Sequence, residues 1–221
     1  MKLAKAGIFA ASATALLAIG AGAGIATNNI AAPTKTSTGF AVHTVESAPH
    51  AVENEMAFYT DNFGFIPNLA GVMADSPALL KSYIATFQNL NAHGSLTPAE
   101  VNVVALAISR ANECTYCIAG HTMVGKTILP TPDDVLEALR NDEKIADSKL
   151  EALRNFSITI YQDHGQVSSS TLRDFIKAGY TRQQALDVVA VIGWKVMSNV
   201  AGDIANVELD EFAKPFAWSA D

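Results

Sequence analysis

From residue 52 onward, apolar side chains recur at intervals of three and four residues, the spacing of one face of an α-helix. Several of these segments begin with a hydroxyl residue followed by proline, as at Ser76-Pro77, Thr97-Pro98 and Thr131-Pro132. A hydroxyl at the N-cap and a proline in the first turn are typical of helix starts. The sequence has no alternating apolar and polar pattern long enough to predict a sheet core. The pattern therefore predicts an all-α fold, a helical bundle.

The predicted helices are separated by short breaks that contain glycine or proline. The segment 98–110 is apolar on one side, through Val101, Val104 and Ile108, so it is expected to be a core helix. The segment 181–202 is similarly apolar and is expected to be the second core helix. The predicted helices span 52–62, 68–73, 78–91, 98–110, 113–125, 131–139, 148–164, 168–178 and 181–202, followed by an irregular tail over 206–221.

The N-terminal stretch predicts a targeting signal. Lys2 and Lys5 precede an uncharged run, rich in alanine and glycine, that ends in small residues suited to cleavage. Residues 1–26 are therefore expected to be a signal peptide, with an uncleaved anchor helix as the alternative. Residues 27–50 are rich in threonine, serine, alanine and proline and predict a flexible tether. This leaves 51–221 as one helical domain, exported to the periplasm or the extracellular space, with no stable membrane span in the mature form.

Composition and charge limit the classes of partner. With 15 basic and 22 acidic residues the formal net charge is −7, so no basic surface for nucleic acid is expected. Hydrophobic residues make up 49% of the chain, enough for a sizeable core. The chain has two cysteines, three positions apart. A disulfide between them would close a very short loop, so this spacing suits a reactive or metal-binding pair better than a structural crosslink.

The candidate chemistry lies in the segment 112–121, where Cys114, Cys117 and His121 share one side of a predicted helix. A helix N-terminus and an adjacent base both favour the thiolate form of a cysteine. A thiolate can attack a peroxide O–O bond or a disulfide, and the sulfenic acid formed from peroxide condenses with a neighbouring thiol. The spacing therefore supplies a nucleophile, a base and a resolving thiol. A passive buried pair and a zinc site completed by a fourth ligand remain alternatives.

The motif and its flanks resemble a known superfamily. The Cys-x-x-Cys-x-x-x-His pattern follows a helix that starts with Leu-Thr-Pro (96–98) and carries Val-Val-Ala-Leu-Ala (103–107). This is similar to the alkylhydroperoxidase D-like, carboxymuconolactone decarboxylase superfamily, over residues 55–218. Four further segments resemble one peroxidase-related branch of this superfamily: Phe-Gly-Phe-Ile-Pro-Asn (63–68), Ser-Pro-Ala-Leu-Leu (76–80), Gly-Tyr-Thr (179–181) and Ser-Asn (198–199).

The resemblance implies an all-helical, oligomeric fold and a thiol peroxidase chemistry. It implies that a hydroperoxide oxidises Cys117, that Cys114 is the proton donor and disulfide partner, and that His121 belongs to a proton relay. The relay glutamate of alkylhydroperoxidase D falls here on Asn102, an amide. Glu100 and Glu113 are the candidate substitutes, although each also suits a helix start. Decarboxylase members lack the cysteine pair, which argues against lactone decarboxylation.

The predicted function is a thiol-dependent peroxidase that acts through Cys114 and Cys117. Its substrate would be a hydroperoxide, and its electron donor a dithiol that the sequence does not identify. We expect a homo-oligomer. We expect neither a cofactor nor a bound metal. The alternatives are a dithiol–disulfide exchange protein with negligible peroxide reactivity and a metal-binding or non-catalytic helical oligomer.

Overall fold

The computed structural model describes residues 32–219, and most of them are helical. This confirms the predicted all-α class, while the predicted signal segment 1–26 lies outside the described residues. A hairpin of β1 (Thr34–Lys35) and β2 (Ala41–Val42) comes first, and 3₁₀ helices cover His50–Val52 and Glu211–Phe216. The α-helices are α1 (Glu53–Phe63), α2 (Asn68–Met73), α3 (Pro77–His93), α4 (Pro98–Ala111), α5 (Thr115–Thr127), α6 (Asp133–Arg140), α7 (Ser148–Gln162), α8 (Ser169–Lys177) and α9 (Arg182–Ala205).

Helix α4 is the centre of the fold. Its residues from Val103 to Ile108 are at most 2% exposed, because α5, α6, α7 and α9 all pack against it. A helix that is apolar on every side must be buried in this way. Thr97 and Glu100 form a capping box at its start, as the sequence predicted.

The cysteine-bearing helix begins later than the sequence predicted. We expected a helix over 113–125 with Asn112 as its N-cap, but α5 starts at Thr115 and Asn112 closes α4. Glu113 between them adopts a left-handed backbone with φ of 52°, which ends one helix and redirects the chain. The backbone N–H of Cys114 then donates to the Ser109 carbonyl at 3.0 Å. As a result, Cys114 is the N-cap of α5 rather than part of its first turn.

Residues 32–50, predicted to be part of a flexible tether, instead form an ordered strap against the helices. The Thr38 hydroxyl donates to the Ala205 carbonyl at 2.7 Å, and the His43 N–H donates to the Gly71 carbonyl at 3.2 Å. A Cβ on Gly71 would lie only 2.7 Å from the His43 carbonyl oxygen, so the close approach of strap and α2 requires glycine. The composition of residues 32–50 correctly indicated a loop. It could not reveal that polar groups of this loop have hydrogen-bond partners in α2 and α9.

Two apolar clusters divide the interior, and α9 connects them. The larger surrounds α4 with α6, α7 and α8, and the smaller lies between α1, α2, α3 and the C-terminal end of α9. Both cysteines belong to the smaller cluster. Within residues 32–219, α9 is the one helix whose length and apolar composition would allow it to cross a membrane, and half of that stretch is buried in the fold. The burial and the central position of α9 are those of a core helix.

Candidate active site

The two cysteines lie at the start of α5, inside the smaller apolar cluster. Cys114 is fully buried and Cys117 is 3% exposed. Both are free thiols, and each side chain acts on the pKa of the other. Their three-residue spacing brings the sulfurs together because an N-cap residue and the third residue of the helix face the same side. The predicted juxtaposition of Cys114 and Cys117 is therefore present.

The surroundings of the two thiols shift their pKa values in opposite directions. The hydrogen bond from Cys114 and the positive charge of Lys195 lower the pKa of Cys117 to about 7, against the opposing effect of burial. The same hydrogen bond, burial and the negative charge of Asp203 raise the pKa of Cys114 far above its usual range. At neutral pH, Cys117 is therefore roughly half thiolate while Cys114 keeps its proton. This asymmetry is what a nucleophile and a resolving thiol require.

His121 lies one turn further along α5, and both of its ring nitrogens already have partners. Nδ1 is 2.9 Å from the Asn102 Oδ1, and Nε2 is 2.7 Å from the Lys195 Nζ. The Asn102 Nδ2 donates to the His121 carbonyl and to the Thr131 hydroxyl, so its Oδ1 accepts from the imidazole. Nδ1 therefore carries the hydrogen, and Nε2 accepts from the lysine. Burial and the lysine charge hold the pKa of His121 well below its usual range.

This arrangement changes the role predicted for His121. The sequence suggested a base that takes a proton from Cys117 directly or through water. In the structure, the lone pair of His121 faces Lys195, and the imidazole is neutral. Its contacts position the lysine side chain instead. Asn102, at the position of the glutamate that the resemblance implies, orients the imidazole and carries no charge.

Lys195 was missed by the sequence analysis, although a signal for it exists. It is 2% exposed, in the middle of the apolar helix α9, and its Nζ lies 4.9 Å from the centroid of the Trp194 ring. Lysine is almost never fully buried without a partner. A charged residue on the buried face of a helix, at helical spacing from Ser198 and Asn199, therefore indicates function.

Two further α9 residues act on the sulfurs. Asn199, noted in the sequence only as part of a resemblance, lowers the pKa of Cys117 through its side-chain amide. Its Nδ2 also donates to the Ser109 hydroxyl at 3.2 Å, and its Oδ1 accepts from Asn112 at 2.9 Å. Asp203, which the sequence analysis did not consider, contributes a negative charge that raises the pKa of both thiols. The site is therefore assembled from α4, α5 and α9.

The structure does not bring the two predicted glutamates to this site. Glu100 accepts from the Thr97 N–H at 2.8 Å and pairs with the Lys149 Nζ at 3.0 Å. Glu113, next to Cys114 in sequence, has a side chain that is 66% exposed and points toward Arg110. Both therefore serve helix ends or the surface, and neither replaces the relay carboxylate that Asn102 lacks. The reason is local: the left-handed turn at Glu113 directs its side chain away from the sulfurs.

The surroundings also disfavour a metal at the three residues of the motif. Lys195 places a positive charge against the lone pair of the His121 Nε2, where a metal ion would have to bind. Among residues 32–219, no group of three or more His, Cys, Asp or Glu side chains is arranged to hold a metal ion.

Replacing Asp203 with asparagine should shift the onset of thiol reactivity to lower pH. Removing a negative charge that raises both thiol pKa values makes the Cys117 thiolate easier to form. Because Asp203 is partly solvated, the rate of Cys117 alkylation by iodoacetamide at about pH 6 should rise by only two- to threefold. Asp174→Asn, at an exposed position of α8, is the matched control and should leave the pH profile unchanged. A shift to higher pH in Asp203→Asn would contradict this assignment.

The fold and site together define an all-α protein with a buried, electrostatically asymmetric dithiol. The family model for the carboxymuconolactone decarboxylase family matches residues 77–156, which include α4 and both cysteines. This match confirms, over those residues, the resemblance to the carboxymuconolactone decarboxylase superfamily that the cysteine motif predicted. No curated protein matches the sequence significantly.

Several solved structures share the fold. The alkylhydroperoxidase AhpD core structure of an uncharacterized peroxidase-related protein from Ralstonia eutropha JMP134 superposes with a TM-score of 0.69, at 20% identity, over 78% of this chain and 92% of that one. A peroxidase-related protein from Silicibacter sp. TM1040 gives a TM-score of 0.63 at 16% identity, over 85% and 96%. The debrominase Bmp8, in complex with 2,3,4-tribromopyrrole, gives 0.64 at 15% identity, over 86% and 96%.

Proposed function

We propose that this protein is a thiol-dependent peroxidase that reduces hydroperoxides through Cys117 and Cys114. The observation that carries the proposal is the asymmetry of the buried pair, with Cys117 ionised near neutral pH and Cys114 protonated beside it. A buried thiolate with an adjacent thiol matches the needs of peroxide reduction, because the sulfenic acid meets its resolving partner without any large movement. The superfamily assignment and the peroxidase-related neighbours support the same chemistry.

In the proposed reaction, the Cys117 thiolate attacks the terminal oxygen of the hydroperoxide and the O–O bond breaks. The sulfur becomes a sulfenic acid, and the departing alkoxide takes up a proton and leaves as the alcohol. The Cys114 sulfur then attacks Cys117, forming the disulfide and releasing water. A dithiol donor reduces the disulfide and restores the pair. Because Cys117 is only 3% exposed, we expect small hydroperoxides to react faster than bulky ones.

The test is stopped-flow mixing of the reduced protein with hydrogen peroxide and with an organic hydroperoxide, followed by mass spectrometry of the product. We expect fast loss of one thiolate and a product in which Cys114 and Cys117 are joined by a disulfide. Rates no faster than that of a free thiol at the same pH would defeat the proposal. A brominated pyrrole belongs in the same assay, since one structural neighbour is a debrominase.

The second candidate is a dithiol–disulfide exchange protein. The same asymmetry favours it, because a thiolate of low pKa attacks a disulfide and a neighbouring thiol resolves the mixed disulfide. The two functions separate in one comparison. An exchange protein reacts quickly with a model disulfide and negligibly with peroxide, whereas a peroxidase gives the reverse order.

We also propose that the protein is a homo-oligomer that buries an exposed apolar stripe of α9. Leu186, Val189, Val200 and Ile204 lie along this helix with exposed fractions of 72%, 55%, 51% and 60%. Such a stripe is unusual on the surface of a soluble monomer and typical of an interface. Introducing Val189→Glu with Val200→Glu should lower the molar mass measured by light scattering, whereas Gln183→Glu, at an exposed polar position, should not. A wild-type protein that is monomeric at micromolar concentration would contradict the proposal.

Export remains a proposal that rests on residues 1–26. Lys2, Lys5 and the following apolar run suit a cleaved signal, which would deliver the dithiol to an oxidising compartment. N-terminal sequencing of the mature protein, isolated by cell fractionation, should find the start after residue 23 or after residue 26. An intact Met1 in the cytosolic fraction would contradict export.

A further inference from the structure

Lys195 is a buried cation whose charge is balanced by the cysteines. Its Nζ donates to the neutral His121 at 2.7 Å, and none of the ion pairs formed within residues 32–219 includes it. Burial lowers the pKa of Lys195, and the negative charges of Cys117 and Cys114 raise it. An ammonium in this position is therefore stable only while a thiolate is beside it.

The other titratable groups around the pair are less suited to supply a proton to the departing oxygen. His121 on α5 accepts from the lysine and is neutral. Tyr83 on α3 and Tyr116 on α5 hold their protons tightly, because burial raises both pKa values. Asp203 on α9 is a partly solvated carboxyl on the Cys114 side. Lys195 is left as the buried acid whose charge acts on the Cys117 thiolate, one helical turn before Asn199 on α9.

We propose that Lys195 carries the proton of the redox cycle, as an ammonium beside the reduced pair and a neutral amine beside the disulfide. It takes the place of the carboxylate relay that Asn102 cannot supply. The inference rests on the proposed peroxidase function for the protonation of the alkoxide and on the Cys114–Cys117 pair for the other steps. Asn102 and His121 are positioning residues in this scheme, since Asn102 orients the imidazole and the imidazole Nε2 accepts from the lysine Nζ.

The protons and electrons of the scheme balance. The Cys117 thiolate attacks the terminal oxygen, the O–O bond breaks, and the alkoxide takes a proton from the Lys195 ammonium to give alcohol, sulfenic acid and neutral amine. The Cys114 thiol displaces hydroxide from Cys117 and its proton completes a water molecule. A dithiol donor then reduces the disulfide. One of its two protons returns to Cys114 and the other to Lys195, which regenerates the thiolate and ammonium.

The first experiment counts protons and needs no peroxidase activity. The reduced protein is oxidised at about pH 8, where most of Cys117 is ionised, by diamide, which takes up two protons for each disulfide it forms. A pH indicator in dilute buffer reports exchange with solvent, and ultraviolet absorbance reports the thiolate. We expect the thiolate signal to disappear with no proton taken from solution, because Cys114 and Lys195 supply both. Uptake of about one proton for each disulfide would mean that Lys195 stays charged, and would overturn the inference.

The second experiment varies the leaving group in Lys195→Met. An alkyl hydroperoxide expels an alkoxide, which needs a proton, whereas a peracid expels a carboxylate, which does not. With rate constants expressed per Cys117 thiolate, the rate constant of the variant should fall by at least about tenfold with tert-butyl hydroperoxide. It should change little with peracetic acid. Equal losses with both oxidants would overturn the proton-donor role. Lys177→Met, which removes an exposed lysine of α8, should match the wild type.

These measurements separate the two proposals. A wild-type protein inert to every hydroperoxide would defeat the peroxidase function, while the proton count with diamide would still decide whether Lys195 loses its charge on oxidation. A fast peroxide reaction together with uptake of a proton would support the peroxidase function and overturn the role of Lys195.

Discussion

Replacing Cys117 with serine should abolish peroxide turnover, with a loss of at least about a thousand-fold. A serine hydroxyl is not ionised at neutral pH, and the Lys195 charge that stabilises a thiolate cannot ionise it. The replacement exchanges one sulfur atom for oxygen at a buried position, so the variant should still fold. The measurement is peroxide consumption with a dithiol donor, together with a melting curve to establish that the variant is folded. Undiminished turnover in a folded Cys117→Ser protein would refute the assignment of the nucleophile.

Cys114→Ser is the matched variant, because it removes the other thiol of the same pair. It should react once with peroxide and stop at a sulfenic acid on Cys117, since no thiol remains to displace hydroxide. Its first reaction should keep much of the wild-type rate at neutral pH, because the serine hydroxyl still offers Cys117 the hydrogen-bond donor that lowers its pKa. Mass spectrometry after dimedone labelling detects the trapped sulfenic acid. A sulfenic acid on Cys114 in the Cys117→Ser protein would instead reverse the two roles.

Lys195→Met should raise the pKa of Cys117 and reduce its reactivity at pH 7 by at least about tenfold. The lysine charge lowers the Cys117 pKa, so its removal moves the pH midpoint of thiolate formation upward from about 7. A thiol with an ordinary pKa near 8.5 is only a few per cent thiolate at neutral pH. The measurement is the pH dependence of alkylation, with Lys177→Met as the surface control. An unchanged midpoint would show that Lys195 does not act on Cys117.

The same substitution separates reactivity from stability. Methionine fills a similar volume, and the Cys117 thiolate left without its cation avoids an uncompensated buried charge by taking up a proton. We therefore expect the melting temperature of Lys195→Met to stay close to that of the wild type at neutral pH while its reactivity falls. A large loss of stability would indicate that the His121 contact organises the helix packing, and would weaken the conclusion drawn from the rates.

Local sequence signals located most helices and the cysteine pair, but some boundaries depended on tertiary contacts. The hydroxyl-proline starts at Ser76 and Thr97 are N-caps as predicted, because a cap is a contact within four residues. The start of α5 was misplaced, because the left-handed turn at Glu113 forms where the chain must leave the buried helix α4. The strap over 32–50 was misjudged for a similar reason, since its partners lie in α2 and α9.

The sequence by itself determined that Cys114 and Cys117 meet, because residues three apart at a helix start must share a side whatever surrounds them. The tertiary structure decided which sulfur is ionised and where its proton is held. Lys195 lies 74 residues after His121, and Asn102 lies 19 residues before it, yet packing of α9 and α4 around α5 brings all three into contact. Electrostatic interactions depend on distance in space and on burial, and neither can be read from positions so far apart along the chain.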